Sequence, residues 1–515
     1  MCARLSRVSL SSCVQSGEIM PCMGPYSEGG ERVSCVESRI SRLGQRLRTI
    51  EADYVIVGAG TMGLACADTL LNESDATMVI VDQRGRPGGH WTDAYPFVRL
   101  HQPSAFYGVN STVLGNDSID AQGPNEGLYE LASGAEVCLY FDHIMQRQML
   151  PSGRVTYLPL MEYTDDGDAC SLVTGESIRL VARRRTIDAS YMNVVVPSMR
   201  QPPFSLAPKV TCVPLNTLGS LQEPAEEYVI IGAGKSGMDA CLWLLANGLE
   251  PGRITWITPR DSWLLDRAKI QFVGGLWEQS AIGRMDAVEA SARAKTIDEL
   301  FAVLERTGQL MRLNPNIKPT MYRCATVTRF EVEQLRRIQN IVRMGRVQHI
   351  DADRLVLEQG ELEVRFGAVF VDCTADGLPR RPALPIFAPE RITLQTVRTC
   401  QQAFSAALVA HVETMDVADD ERNALCQVVP HPDSDVDWLS VTLGNFQNSV
   451  KWMRDERLRP WLQQSRLDGP SRPPEFDADV SPQYSEALRR SRELTGAAMA
   501  NLQRLLEESI EESAH

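Results

Sequence analysis

Glycines at fixed spacing mark a first place where the chain could hold a phosphate group. Gly58, Gly60 and Gly63 follow a short apolar run, and Asp82 ends the next apolar run. In such a motif the first glycine makes a tight turn, the second lets a pyrophosphate approach the backbone, and the third lets a helix pack on a strand. The helix N-terminus attracts the phosphates, and the acid accepts hydrogen bonds from ribose hydroxyls. The spacing therefore predicts a dinucleotide site.

A second motif repeats the same spacing but ends differently. Gly232, Gly234 and Gly237 follow another apolar run, with Ser236 inside the motif, and the next run is followed by Arg260 instead of an acid. An acid repels a 2′-phosphate, whereas an arginine binds it. The first site therefore suits FAD or NAD, and the second suits NADPH. The alternative for Arg260 is a solvated residue at a strand end.

Both motifs lie between elements that are typical of a βαβ unit. Apolar runs rich in β-branched residues predict buried parallel strands, and the segments after each motif predict helices. The predicted strands are Tyr54–Val57, Met78–Val81, Tyr228–Ile231 and Ile254–Ile257, and the helices are Leu64–Asn72 and Met238–Leu249. Two such units in one chain are far less expected by chance than one, so a pair of dinucleotide sites is predicted.

The rest of the chain suggests how these units are arranged. Short alternating runs between Cys170 and Asp188 predict antiparallel strands, and the proline-containing segment Met199–Pro224 predicts a connector. The run Val369–Asp372 predicts a strand that leads into Thr374, where backbone could lie against a cofactor or simply turn.

The predicted fold class is α/β, with two Rossmann-like dinucleotide-binding domains, the second inserted in the first, and a C-terminal helical region. The predicted boundaries are 51–200 with 367–400 for the FAD-binding domain, 225–366 for the NADPH-binding domain with a helical insertion, and 401–515 for the helical region.

Composition excludes several other classes of protein. The chain has 515 residues and a formal charge of −14, which argues against nucleic acid as a partner. No apolar run approaches the roughly 18 residues of a membrane helix. The 13 cysteines include no C-x-x-C pair, which disfavours a zinc site and a dithiol reductase and favours reduced, mostly buried thiols.

The first 50 residues differ in composition from the rest of the chain. They contain no apolar core of a secretory signal, so we expect a disordered extension of an intracellular, cytoplasmic protein. Arg4 and Arg7 leave a mitochondrial transit peptide as an alternative, although Glu18 and Glu28 argue against one beyond the first turns.

Several motifs together resemble the two-dinucleotide-binding-domain flavoproteins, and among them the class B flavin monooxygenases. Gly88-Gly89-His90-Trp91 is similar to their G-G-x-W, and Ser236 and Arg260 stand where their NADPH motif has a serine and a 2′-phosphate arginine. Thr374–Gly377 is similar to their A-T-G strand end. Their F-x-G-x-x-x-H fingerprint is missing, because no histidine lies between His143 and His349.

The resemblance implies FAD at the first site and NADPH at the second. It places Gly89, His90 and Trp91 on the loop that leads to the flavin, and makes Trp91 and His101 the candidate catalytic residues. His101 would act as an acid or base near neutral pH. The alternative is that His90 and His101 only hydrogen-bond backbone or pyrophosphate.

Three functions are compatible with these observations. The first is an NADPH-dependent FAD monooxygenase that acts on a small organic substrate with oxygen. The second is a flavin dehydrogenase or oxidase without oxygen insertion, which the missing fingerprint favours. The third is a non-catalytic nucleotide-binding protein, against which both complete glycine motifs argue.

Overall fold

The computed structural model describes residues 48–164, 166–377, 379–469 and 480–514. Most of the expected N-terminal extension, 1–47, lies outside these residues. The boundary at residue 50 is wrong, because Arg48 and Ile50 already pair with Ile178 and Leu180 in a parallel ladder. Within the described ranges, no helix is long and apolar enough to cross a membrane.

Twenty strands and twelve α-helices make up the described chain. The strands are β1 Arg48–Val57, β2 Met78–Val81, β3 Val155–Leu158, β4 Met161–Tyr163, β5 Asp168–Ser171, β6 Ser177–Asp188, β7 Ser205–Leu206, β8 Thr211–Pro214, β9 Tyr228–Ile231, β10 Ile254–Ile257, β11 Ser262–Asp266, β12 Leu310–Met311, β13 Met321–Val327, β14 Asn340–Val342, β15 Val347–Ile350, β16 Arg354–Leu357, β17 Gly360–Glu363, β18 Val369–Asp372, β19 Phe387–Ala388 and β20 Arg391–Thr393. The helices are α1 Thr61–Glu73, α2 Gly134–Ile144, α3 Leu215–Leu218, α4 Lys235–Ala246, α5 Trp277–Arg293, α6 Ile297–Arg306, α7 Arg329–Leu335, α8 Gln402–Thr414, α9 Asp419–Leu425, α10 Asp435–Arg454, α11 Leu458–Gln464 and α12 Pro482–Ala514.

The first glycine motif follows the central strand of the larger sheet. Its strand order is β19-β20-β6-β1-β2-β3, and β1 runs parallel to β2 and β6. The strands β4, β5 and β6 pair antiparallel, as the alternating runs predict. β2 and residues Tyr54–Ile56 of β1 are buried on both faces, which explains the continuous apolar sequence of these segments.

The second glycine motif follows the central strand of a separate parallel sheet, whose order is β14-β10-β9-β18-β8. This sheet corrects two boundaries. Val369–Asp372, which the sequence assigns to the first domain, pairs with β9 and β8 of the second sheet. Thr211–Pro214, which the sequence assigns to the connector, forms the edge strand β8. Both runs are short, and sequence alone does not show which sheet completes their hydrogen bonds.

The order of the elements confirms the predicted fold class. All strands of the second sheet lie between β6 and β19 in sequence, so the second unit is inserted in the first. A small sheet of β12, β11 and β13 and the helices α5 and α6 extend the inserted unit.

The C-terminal helices complete the cores of both units. α8 packs against α1, and its apolar residues from Phe404 to Val412 belong to the first hydrophobic core. α12 packs against α5 and α10, and Leu502 and Leu505 share a cluster with Trp263 and Phe301. The C-terminal region is therefore built onto both dinucleotide units.

The cysteines are not all reduced, in contrast to the expectation from sequence. Cys324 and Cys400 form a disulfide across 76 positions, because β13 meets the segment that leads into α8. Among the free thiols, Cys66, Cys138 and Cys241 are buried, as expected.

Candidate dinucleotide sites

The first glycine turn is closed by a contact that leaves no room for a side chain. Gly58 has a φ of 107°, and a Cβ atom on Gly63 would lie 1.9 Å from the carbonyl oxygen of Gly58. The Gly58 N–H donates to Val81 O over 2.8 Å. The turn between β1 and α1 therefore requires glycine at both positions.

The loop after β2 folds back over this turn. Gly88 N donates to Ala59 O over 2.9 Å, and a Cβ atom on Gly89, whose φ is 59°, would lie 2.9 Å from Gly60 Cα. The backbones of Gly60 and Gly89 thus lie next to each other, without side chains between them, at the start of α1. The N–H groups in the first turn of that helix lack intrahelical partners. This cradle fits a pyrophosphate.

Asp82 is held rigidly at the end of β2. Its Oδ2 accepts a hydrogen bond from Ala59 N over 2.6 Å, and its Oδ1 accepts one from Arg84 N over 2.7 Å. A carboxylate has about four acceptor positions, so two remain for ribose hydroxyls. The backbone bonds fix the orientation that such recognition needs.

An aromatic cluster stands beside the cradle. Trp91 Nε1 donates to the Tyr107 hydroxyl over 2.6 Å, and that hydroxyl lies 2.5 Å from Thr61 Oγ1 on the first turn of α1. The His90 ring stacks on Trp91 with centroids 5.2 Å apart. Burial raises the pKa of Tyr107 to about 12, so it remains a neutral donor.

His90 directly follows Gly89 in the loop that covers the first glycine turn. Its surface is accessible to water, although protein atoms surround it closely. This desolvation, assisted by Arg84, lowers the pKa of His90 to about 4. The ring is neutral at pH 7 and can only exchange hydrogen bonds there.

His101 does not fit the expected role of an acid or base near neutral pH. Burial lowers its pKa to about 3, and the charges of Lys235 and Arg267 act in the same direction. Its backbone carbonyl accepts from Arg267 Nε over 3.2 Å. His101 therefore lies where the first unit meets the second, as a neutral residue.

The second glycine turn repeats the construction of the first. Gly232 has a φ of 130°, and a Cβ atom on Gly237 would lie 2.1 Å from its carbonyl oxygen. Trp256 Nε1 donates to Gly232 O over 2.8 Å. A Cβ atom on Gly232 would lie 2.6 Å from Cys373 O, so the residue that follows β18 packs directly against this turn.

The entrance to α4 is open, with polar groups around it. Gly234 is exposed, and a Cβ atom there would meet nothing within 4 Å. Tyr95 from the first unit donates to Asp239 Oδ2 over 2.5 Å and also hydrogen-bonds Ser236. Lys235 forms an ion pair with Asp239. A phosphate at Gly234 would thus meet Ser236 and Lys235 directly.

Arg260 lies next to the second turn but holds a protein carboxylate. Its Nη1 is 2.9 Å from Asp433 Oδ2, and its Nη2 donates to Thr320 O. Arg323 and Arg380 approach the same carboxylate at 2.7 and 3.5 Å. Burial alone would raise the pKa of Asp433, but hydrogen bonds from Arg260 and Arg323 keep it below its usual value. Asp433 thus pairs with the guanidinium group of Arg260, which the sequence predicts to bind a 2′-phosphate.

Thr374 lies at the second site and not at the first. Its Oγ1 accepts from Arg200 Nη2 over 2.8 Å and donates to Asp372 Oδ1 over 2.5 Å. It follows β18, whose end packs on the second glycine turn.

The motifs in the sequence do not predict three residues that the structure places at the two sites, namely Tyr107, Tyr95 and Asp433. Tyr107 and Tyr95 lie in the aromatic segment after Trp91, and that enrichment was the available signal. Asp433 carries no local signal, because its partner Arg260 is 173 positions away.

Two glycine turns, each after a strand with a parallel neighbour on both sides, define a protein with two Rossmann-type dinucleotide units. Residues 56–109 match the family described as NAD(P)-binding Rossmann-like domain. The chain belongs to the same family as the uncharacterised proteins Rv2000 of Mycobacterium tuberculosis and Mb2023 of Mycobacterium bovis. Each is 51% identical to it over 424 residues, which is 82% of this chain and 78% of theirs.

Solved structures with a similar fold include flavin monooxygenases. A flavin-containing monooxygenase from Stenotrophomonas maltophilia is 17% identical, with 73% of this chain and 99% of that chain covered and a TM-score of 0.40. A polycyclic ketone monooxygenase from Thermothelomyces thermophila is 12% identical, with 89% and 90% covered and a TM-score of 0.48.

Proposed function

We propose that the chain is an FAD-dependent oxidoreductase that takes hydride from NADPH and oxygenates a small organic substrate. The observation that carries this proposal is the contrast between the two sites. One glycine turn ends at the acid Asp82, and the other lies beside the guanidinium of Arg260. Two different dinucleotides in one chain are what a flavoprotein with a nicotinamide reductant needs.

The residues at the first site fit FAD. The backbone cradle of Gly60 and Gly89 would take the pyrophosphate, and Asp82 would take the ribose. His90 and Trp91 come directly after the cradle and would line the path towards the flavin ring. When bound, FAD supplies hydride acceptance and oxygen chemistry, which no side chain of a protein provides.

At the second site, Arg260, Ser236 and Lys235 are the groups that would hold NADPH. Because Asp433 already balances the charge of Arg260, a 2′-phosphate must compete with that carboxylate. Arg323 and Arg380 can keep Asp433 neutralised while Arg260 turns to the phosphate. NADPH is a reductant of cell interiors, so the proposal implies an intracellular, cytoplasmic enzyme.

The aromatic cluster would exclude water and fix hydrogen bonds near the flavin. Tyr107 remains protonated, accepts from Trp91 and contacts Thr61, so its hydroxyl is fixed in direction. Neutral His90 and His101 would orient groups by hydrogen bonds without transferring protons near pH 7.

A second candidate is a flavin dehydrogenase or oxidase without oxygen insertion. The missing histidine fingerprint between β8 and β9 favours it, since the chain between His143 and His349 has no histidine. Both candidates share FAD and NADPH and differ only in what happens to oxygen.

The proposal is tested with purified protein loaded with FAD. We expect stoichiometric FAD uptake, bleaching of the flavin by NADPH without oxygen, and transfer of an isotopically labelled oxygen atom to an accepted substrate. Labelled oxygen that appears only in hydrogen peroxide or water supports the second candidate. A protein that takes up no FAD contradicts both.

A further inference from the structure

The loop that covers the first glycine turn extends as far as the second unit. Residues 88–97, here called the cofactor loop, begin with Gly88, whose N–H donates to Ala59 O in the first turn. Near the end of the cofactor loop, Tyr95 and Phe97 pack against the hydrophobic cluster of the second unit. One continuous stretch of chain therefore contacts both dinucleotide units.

A short hydrogen bond joins the cofactor loop to helix α4. The Tyr95 hydroxyl donates to Asp239 Oδ2 over 2.5 Å, although 144 positions separate the two residues. Burial raises the pKa of Tyr95 well above its usual value, and the negative charge of Asp239 acts in the same direction. The hydroxyl therefore stays protonated and remains a donor to the carboxylate.

An aromatic stack forms a second contact between the cofactor loop and α4. The ring of Phe97 stacks on that of Trp243, with the centroids 5.0 Å apart and the planes at 18°. Tyr95 lies against Phe97, with the ring centroids again 5.0 Å apart. Asp239 and Trp243 are four positions apart on α4, so they lie on the same side of that helix. One polar and one apolar contact thus attach the cofactor loop to one face of α4.

The carboxylate that holds Tyr95 also holds a cation at the start of α4. Lys235 and Asp239 form an ion pair, and each of the two side chains is 13% exposed. Lys235 directly follows Gly234, whose backbone is exposed. A coenzyme phosphate at this N-terminus would attract the Lys235 ammonium away from Asp239. The bond from Tyr95 would then strengthen, because it would end on a carboxylate with no cation beside it.

The cofactor loop is also attached to the acid of the first site. Arg84 pairs with Asp93 of the loop at 2.7 Å, and Arg84 N donates to Asp82 Oδ1 over 2.7 Å. Asp93 lies two positions before Tyr95. A short series of fixed contacts therefore joins the proposed ribose acceptor of the first site to the carboxylate on α4.

We propose that Tyr95 is a positioning residue that couples coenzyme binding at the second glycine turn to the position of the cofactor loop over the first. This inference rests on the proposed function, which assigns FAD to the first turn and NADPH to the second. When Lys235 turns to a coenzyme phosphate, the stronger bond between Tyr95 and Asp239 holds the loop in place over FAD. Coupling between two binding sites is reciprocal, so FAD tightens coenzyme binding by the same factor.

The test measures how readily the FAD-loaded protein releases FAD with and without saturating NADP⁺. This oxidised coenzyme carries the same phosphates as NADPH but has no hydride to give to the flavin. Released FAD is followed by its fluorescence after dilution, and NADP⁺ affinity is measured by calorimetry. We expect NADP⁺ to lower the FAD dissociation constant about 5- to 10-fold in the unmodified chain. An unchanged FAD dissociation constant overturns the inference.

Removal of one hydroxyl then locates the coupling. Tyr95→Phe keeps the ring against Phe97 but loses the bond to Asp239, so NADP⁺ should no longer tighten FAD binding. FAD release in the absence of NADP⁺ should change little, which separates lost coupling from general damage to the first site. Tyr191→Phe is the matched control, because its hydroxyl donates to Pro382 O over 2.7 Å, away from α4. Full coupling in Tyr95→Phe, or equal loss of coupling in the control, contradicts the proposal.

A change at the acceptor gives a second test that does not depend on the folding of Tyr95→Phe. In Asp239→Asn the amide oxygen still accepts from Tyr95, but no carboxylate competes for Lys235. NADP⁺ should therefore bind more tightly, while its effect on FAD release becomes smaller. Weaker NADP⁺ binding, or an undiminished effect on FAD release, contradicts the proposal.

Binding and oxygen transfer separate this inference from the proposed function. If NADP⁺ tightens FAD through Tyr95 but no labelled oxygen reaches a substrate, oxygenation fails and the coupling stands. If labelled oxygen is transferred and NADP⁺ leaves FAD release unchanged, only the coupling fails. A protein that takes up no FAD contradicts both.

Discussion

The two glycine turns are built alike and differ in what stands beside them. At both turns, a Cβ atom added to the third glycine would lie about 2 Å from the carbonyl oxygen of the first glycine. The distance is 1.9 Å for Gly63 and 2.1 Å for Gly237. The first turn is covered by the Gly88–Gly89 loop and ends at Asp82. The second is open at Gly234 and lies beside Arg260. In the proposed function, the turns hold the two dinucleotides, and the adjoining side chain decides which dinucleotide each turn accepts.

The two sites also differ in whether the key side chain is already oriented and available before a ligand binds. Asp82 is fixed by two backbone N–H groups, so its orientation is set before anything binds. Arg260 is instead engaged by Asp433, and must exchange one anion for another. The first site is therefore suited to a cofactor that stays bound, and the second to a coenzyme that comes and goes.

The largest effect is expected when a turn loses its third glycine. Gly63→Ala places a methyl group against the Gly58 carbonyl, so the protein should lose FAD or fail to fold, whereas Gly237→Ala should lose NADPH and keep FAD. FAD content and NADPH titration measure both. Gly219→Ala is the control, because a Cβ atom there meets nothing within 4 Å. Full FAD occupancy in Gly63→Ala would contradict the comparison.

The next effect tests the acid of the first site. Asp82→Ala removes the ribose acceptor and the partner of two backbone N–H groups, so FAD affinity should fall about 10- to 100-fold. NADPH affinity should not change. Equilibrium titration of the FAD-free protein with FAD measures the FAD affinity. Titration of the FAD-loaded protein with NADPH measures the NADPH affinity. A parallel fall in both affinities would show that the two sites are not separate.

A smaller effect is expected for the arginine of the second site. Arg260→Ala should weaken NADPH about tenfold while NADH binding is unchanged, because only NADPH has the 2′-phosphate. Asp433→Asn, which weakens the competing ion pair, should strengthen NADPH binding. Arg354→Ala, which removes an exposed arginine at the start of β16, controls for general loss of charge. Equal weakening of NADPH and NADH in Arg260→Ala would remove the 2′-phosphate assignment.

The smallest effect concerns His101, between the two units. Its folded pKa of about 3 lies below the unfolded value of about 6.5, so the folded state disfavours the charged ring. The stability that its neutral form contributes is present above about pH 6.5 and is lost as the pH falls towards 3. His101→Gln should therefore show a shallower fall of the unfolding free energy over this range in denaturant titrations. Identical slopes would mean that His101 is not buried at this junction.

The sequence predicted the parts of both sites that depend on local spacing. The glycine turns, their strands and Asp82 depend on contacts between residues that are close in sequence. The membership of Val369–Asp372 in the second sheet could not be predicted, because any apolar run can complete either sheet. The contact of Asp433 with Arg260 depends on how the C-terminal region packs on the second unit, which amphipathic patterns do not specify.

The central claim is that one chain holds FAD at the turn with the acid and NADPH at the turn with the arginine. Its most direct test is anaerobic stopped-flow mixing of the FAD-loaded protein with NADPH or NADH, in the unmodified chain and in Arg260→Ala. The account predicts faster flavin bleaching by NADPH than by NADH, and loss of that preference in Arg260→Ala. Equal bleaching by the two coenzymes in the unmodified chain, or no bleaching by either, would contradict it.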